Sequence, residues 1–185
     1  MDALEALHSR ISSPRLKGDI GSRALNNIFK AALRAPDHGL LKPWRFLVIQ
    51  GEGRIHLGEL FARAELSENP SITPQALKKT KAKPLRAPMI IVGIAHTIEH
   101  KSVPEIEQLL SCGAAIQNMM LAAHAQNVGA MWRTGAMAYN DIVNAGLGLK
   151  DNERILGYLY LGQVDGKSRT LKPLDTEEYF TEWHG

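Results

Sequence analysis

The chain has 185 residues, 44% of them hydrophobic and 22% charged, with a formal net charge of +3. That length buries roughly 70% of the unfolded surface in one domain, and a single domain over 1–185 is the expectation. No biased tract marks a fibrous or disordered protein, and the charge is too mild to imply a nucleic-acid partner by itself. The lone cysteine, Cys112, leaves no internal disulfide and points to a reducing, cytoplasmic setting. Met1 to Glu5 is acidic and leads into an amphipathic pattern, so no signal peptide is expected. Apolar runs such as Met89 to Ala95 are too short to span a bilayer.

In chain order, a first helix opens at Asp2, where Glu5 completes a capping-box spacing and Leu4, Leu7 and Ile11 repeat at helical intervals. Ser12-Ser13-Pro14 stops it, because Pro14 biases Ser13 away from helical dihedrals. Ser22 is the expected N-cap of a second helix, whose stripe is Leu25, Ile28, Phe29, Ala32 and Leu33. Pro36 to Pro43 reads as a stiff loop, and Phe46 to Ile49 as a short strand closed by Gly51-Glu52-Gly53. A helix over Arg54 to Leu66, a basic helix over Gln75 to Lys83 and a buried strand over Met89 to Ala95 follow. Pro104 fits the first turn of a long helix ending near Asn127, with apolar residues on more than one face. Strands over Ala130 to Arg133 and Ile155 to Leu161 flank a small helix at Asp141 to Ala145, and a capped turn at Asp175–Glu178 closes the tail. Mixed helices and strands without a linker or repeat leave α+β and α/β both open.

Among the motifs, His96-Thr97-Ile98-Glu99-His100 matches the H-x-x-E-H zinc signature, which works only on a helix that puts both imidazoles on one face. Here it follows a strand, Pro104 intrudes four residues later, and no third ligand is evident, so loop histidines are the better reading. Gly146-Leu147-Gly148 lacks the third glycine of a dinucleotide fingerprint, and there is no phosphate-binding P-loop. The run Lys78, Lys79, Lys81, Lys83 and Arg86 fits a solvated helix face better than an anion site, and Cys112 fits a small core residue. Three segments are richer. Arg10-Ile11-Ser12 sets a guanidinium and a hydroxyl where a phosphate is readily held. Arg34-Ala35-Pro36-Asp37-His38 presents two donors on a proline-stiffened loop. Met131-Trp132-Arg133-Thr134-Gly135 runs a strand end into a glycine turn whose N–H groups can face a ligand.

Taken together, these segments resemble the nitroreductase family, and specifically its compact enterobacterial-type NAD(P)H nitroreductases. The likeness also includes Pro43-Trp44, Gly51-Glu52-Gly53-Arg54, Arg86-Ala87-Pro88 and Gly157-Tyr158-Leu159-Tyr160-Leu161-Gly162, and so runs to about Gly162. The resemblance implies an α+β sandwich, a central, mostly antiparallel sheet flanked by helices, in an intertwined homodimer with FMN in each interface cleft. It places Arg10 and Ser12 at the FMN phosphate and ribityl end of one subunit, with Ile11 between them. It brings Arg34 and His38 from the partner, and lines the isoalloxazine with Trp132, Arg133 and Thr134, partly through backbone groups. Lys167 or Arg169 is a further phosphate cation on the same basis. Two departures stand out: relatives have Arg-Arg-Ser where Ile11 interrupts here, and Pro36 and His38 replace the larger family's serine and asparagine.

The implied activity is ping-pong hydride transfer from NADH or NADPH through flavin N5 to a nitroaromatic or quinone-like acceptor, with no catalytic side chain required. Two rivals remain open at this level: a zinc hydrolase built on His96, Glu99 and His100, and a protein that binds FMN without turnover.

Overall fold

The computed structural model describes residues 1–167 and 170–185. Its helices are α1 (Ala3–Ser9), α2 (Ser22–Ala32), α3 (Gly53–Glu68), α4 (Pro74–Lys81), α5 (Glu105–His124) and α6 (Asp141–Gly146). Its strands are β1 (Leu16–Lys17), β2 (Trp44–Gln50), β3 (Met89–His96), β4 (Gly129–Arg133) and β5 (Glu153–Val164). Single 3-10 turns lie at His38–Leu40, Lys83–Arg86, Ala136–Ala138 and Thr176–Glu178.

β5 is the hub of the sheet. It pairs with β3, with β4 and, at its last residues, with β1, while β2 lies on the far side of β3. Every pairing among the described residues is antiparallel, which resolves the fold class as α+β, with helices on both faces of the sheet. The alternation of β3 shows why its sequence is unbrokenly apolar. Ile90, Val92 and Ile94 pack with Leu57, Leu60 and Phe61 of α3, and Met89 and Ile91 pack with Ile28 of α2 and Ala115, Ile116 and Met119 of α5. Neighbouring side chains point to opposite faces of a strand, so covering both faces leaves no polar position.

β3 and β5 lose register at one place. Gly93 faces Gly157 but Ile94 faces Ile155, so Leu156 is an extra, bulged residue. The indole N–H of Trp132 on β4 donates to the Leu156 carbonyl at 3.1 Å. Gly157 is required by that approach, because a Cβ there would lie 2.0 Å from the indole nitrogen.

Several local expectations need correction. The Asp2 carboxylate caps α1 through the Glu5 N–H at 2.9 Å, but the helix stops at Ser9, so Ile11 is outside it and Leu7 is 52% exposed. Gly21, in an extended conformation, occupies the cap position of α2 and makes Ser22 the first helical residue. The stripe of α2 packs through Leu25, Ile28, Phe29 and Ala32, with Ile28 and Ala32 fully buried, but Leu33 is left 62% exposed at the C-cap. Pro104 is likewise the N-cap of α5 rather than part of its first turn. β5 begins two residues early because Glu153, polar as it is, is paired inside the sheet end; β1 is too short to leave a pattern. No helix among the described residues is long and apolar enough to cross a membrane.

Candidate active site

The segment after α1 is laid beside β4 and the end of β5 by backbone bonds: Ser13 N–H donates to Ala130 O of β4 at 2.9 Å, and Asp165 N–H, just past β5, donates to Arg15 O at 3.0 Å. Arg10 is the C-cap of α1, its N–H bonded to Ala6 O at 3.1 Å, and its guanidinium donates to the Ser12 hydroxyl at 3.5 Å. These two side chains, with Gln117 and Met120 of α5 and Trp132 and Thr134, line an open cleft of about 400 Å³. Ile11 between them is half-buried. Beyond Ser12 a second hollow of about 270 Å³ continues along Arg15 and Asp165 to Lys167 at the end of β5. Arg169 lies outside the described residues.

β4 divides its side chains between two faces. Trp132 packs with the α5 cluster, whereas Met131 packs with the α3 cluster on the other face. The Arg133 guanidinium lies 5.6 Å from the centre of the Tyr160 ring, in that second cluster. A cleft of about 450 Å³ opens there, where Arg133 meets Lys83, Arg86, Glu65 and Tyr160. Burial pushes the Tyr160 hydroxyl above its ordinary pKa, while the Arg133 and Arg86 charges pull it back. Burial, with Tyr160 close by, also raises Tyr158, whose hydroxyl donates to Met137 O at 2.9 Å and fastens the turn after Gly135.

Arg34 and His38 stand elsewhere in the single chain. Arg34 edges an apolar hollow between α1 and α5, beside Ala6, Leu7 and Leu121. His38 opens the 3-10 turn, its Nδ1 2.5 Å from Glu107 Oε2 near the start of α5. Asp37 holds that turn by accepting from the Leu41 and Lys42 N–H groups. Neither Arg34 nor His38 lines the Arg10–Ser12 cleft within one chain.

The H-x-x-E-H run does not form a helix. His96 ends β3 with Nδ1 3.5 Å from Glu153, and the chain then continues as loop, where His100 accepts from Ser102 N–H. Among the described residues no group of three His, Cys, Asp or Glu is placed to hold a metal. Cys112 is buried in α5, and desolvation pushes its thiol up to about 12, so it is inert packing at neutral pH.

Two groups escaped the sequence reading. Glu153, its side chain 2% exposed, accepts two bonds from Arg45 at 2.6 and 2.7 Å and one from Lys150 N–H at 3.0 Å. The Arg45 hydrogen bonds, reinforced by that N–H and against the cost of burial, hold its carboxyl at about 2. Partners 108 residues apart leave no local signal. Lys83 and Arg86, assigned to a solvated face, instead line the cleft with Arg133; the proline at Pro84, which starts a 3-10 turn after α4, was the available sign that these two leave the helix.

The model of the Nitroreductase family matches residues 20–163. The chain belongs to the nitroreductase family. Among nitroreductase relatives, "Putative NAD(P)H nitroreductase YdjA" of Escherichia coli strain K12 is 38% identical over 171 residues, covering 92% of each chain. "Putative NAD(P)H nitroreductase" of Haemophilus influenzae is 31% identical over 185 residues, 98% of this chain and 99% of its own. Solved nitroreductase structures share the fold. A nitroreductase-like family protein from Bacillus cereus superposes with a TM-score of 0.85 at 22% identity, over 100% and 97% of the two chains. A nitroreductase with bound FMN from Bacteroides fragilis gives 0.75 at 21% identity, over 98% of both.

Proposed function

We propose that this nitroreductase-family chain is an FMN-dependent NAD(P)H oxidoreductase that works as a homodimer. The observation that carries the reading is the Arg10–Ser12 pair fixed beside Trp132 and Thr134 on β4. The donor set fits the cofactor: a guanidinium and a hydroxyl suit a phosphate, and Lys167 lies in the adjoining hollow. The strand end and glycine turn from Trp132 to Gly135 offer a backbone edge to a planar ring. On this assignment Arg133 contributes its main chain to the flavin side, since its guanidinium is over Tyr160. Arg34 and His38 reach the flavin from the second copy, which accounts for their distance from Arg10 in one chain.

When bound, the flavin supplies hydride uptake at N5 from a reduced nicotinamide and hydride delivery to a nitroaromatic or quinone-like acceptor in the same slot. The protein's part is positional. Arg10 and Ser12 hold the phosphate, Trp132 and Thr134 wall the ring, and Arg34 and His38 supply donors and positive charge at its pyrimidine edge. The presence of FMN-bound and NAD(P)H-named members among the relatives supports the same assignment.

The visible spectrum of the purified protein tests this directly. Flavin bands that bleach anaerobically with NADH or NADPH are expected. A colourless protein that takes up no FMN overturns the cofactor assignment, and bound flavin that neither nucleotide bleaches overturns the enzymatic one. Arg34→Ala lowers FMN occupancy after gel filtration; unchanged occupancy counts against the shared site.

A further inference from the structure

The turn that carries His38 is built at a cost. Gly39, Leu40 and Lys42 all take positive φ, at 73°, 54° and 50°, and the last two are not glycines. Left-handed backbone at such residues persists only where the surroundings over-determine it. Here they do. Asp37 accepts from the Leu41 and Lys42 N–H groups at 3.2 and 2.7 Å. Gly39 sits against Val103, whose Cγ2 would lie 3.2 Å from a Cβ at that position. Val103 is itself anchored: the Gln108 amide of α5 donates to its carbonyl at 3.1 Å and ties Ile98 through two further bonds. None of these bonds uses the His38 side chain. Its one hydrogen bond among the described residues joins Nδ1 to Glu107 Oε2 at 2.5 Å, from the residue next to Gln108.

We infer that Glu107 is a positioning residue of the proposed flavin site: it keeps the proton of His38 on Nδ1 and leaves Nε2 as the atom that meets the flavin's pyrimidine edge. This rests on the placement of His38 at that edge from the second copy. A carboxylate offers acceptors only, so the ring nitrogen facing it carries the proton. That contact also decides which nitrogen is left for a ligand. Nε2 then accepts when the ring is neutral and donates when it is charged. The neighbouring acids are otherwise engaged. Both oxygens of Asp37 are spent on the turn, and Glu105 is paired with Arg154 at 2.9 Å. With its side chain 60% exposed in the single chain, His38 is held by this bond rather than by packing.

The test is nitrogen NMR of the histidine rings in the FMN-loaded protein, joined to FMN affinities from flavin fluorescence. The neutral His38 ring is expected to carry its proton on Nδ1. A neutral ring protonated on Nε2 overturns the inference, and this measurement needs no variant. Glu107→Gln, whose amide donates as well as accepts, is expected to let the Nε2-protonated form appear. His38→Ala and Glu107→Ala are each expected to weaken FMN binding on the order of threefold to tenfold. The double variant is expected to bind no more weakly than His38→Ala alone. Additive losses, or a loss in His38→Ala with none in Glu107→Ala, overturn the inference and leave the flavin reading standing. Unchanged affinity in His38→Ala instead removes His38 from the flavin, and the role of Glu107 falls with it. A protein that takes up no FMN defeats the flavin reading and this inference together.

Discussion

At the scale of single residues, Trp132 and Gly157 act as one unit. The bulge at Leu156 frees a carbonyl from the ladder, the Trp132 indole takes it, and only a residue without Cβ leaves room for the ring. Gly157→Ala is therefore expected to cost about 1–3 kcal/mol from overpacking and to alter the near-ultraviolet circular dichroism of the tryptophans. A variant with native stability and an unchanged aromatic spectrum would contradict the packing described. Glu153 gives a second residue-scale prediction, this time in pH. Its folded pKa of about 2 lies below the ordinary 4.5, so its contribution is fully present above 4.5 and is lost as pH falls from 4.5 toward 2. The size is about 3 kcal/mol at 1.36 kcal/mol per unit. Urea unfolding across that acid range should show the loss in the native protein and a flattened profile in Glu153→Gln, which is also less stable at neutral pH. An acid limb identical in both proteins would sink the assignment.

At the scale of elements, α1 matters because it carries Arg10 at its end. Asp2→Ala removes the side-chain cap at a cost of about 1 kcal/mol to the helix, and a frayed α1 holds Arg10 less well. Faster amide exchange in α1 accompanied by a few-fold weaker FMN affinity is the expected pair of results. Fraying with unaltered FMN affinity would detach Arg10 from the cofactor. Elements also mark where the sequence was readable. The strands β3 and β4 and the helices α3, α4 and α6 lie within a few residues of their apolar runs and their Gly and Pro punctuation, because local pattern and burial agree there. The turn from Pro36 to Pro43 was readable as rigid, but the pairing of His38 with Glu107 depends on α5 folding back beside it. Residue chemistry alone singles out the Arg10–Ser12 segment as the proposed phosphate holder. Its placement against β4 depends on backbone bonds to Ala130 and on the β1–β5 pairing, both long-range. The same holds for Arg86 and Arg133, which lie 47 positions apart along the chain and meet only once the sheet has formed.

At the scale of the whole molecule, large apolar side chains remain outside the core. Leu4 and Leu7 on α1, Leu33 after α2, Leu110 on α5 and Tyr179 and Phe180 near the C-terminus are all exposed in the single chain. That is more than scattered surface leucines account for, and a second copy of the chain is the proposed cover. Sedimentation equilibrium is expected to give a two-chain mass, with a thermal midpoint that rises with protein concentration. Leu7→Glu, placed in the hollow beside Arg34, should shift the chain toward one copy and reduce bound FMN together. A stable single copy that retains full FMN would contradict the shared cleft.

The two-sided β4 carries one more consequence. Along a strand, positions of one parity face one way, so 131 and 133 belong to the α3 cleft while 132 belongs with α5. Substitution at 131 or 133 therefore presses first on the α3 packing, while Trp132, which lines both recesses, is the hinge pin between them. A library randomised at 131 should yield variants that still fold around an intact Trp132–Leu156 contact. Descent with modification has the same freedom, so members of one lineage can diverge in the packing behind the strand while keeping the tryptophan anchor in front of it.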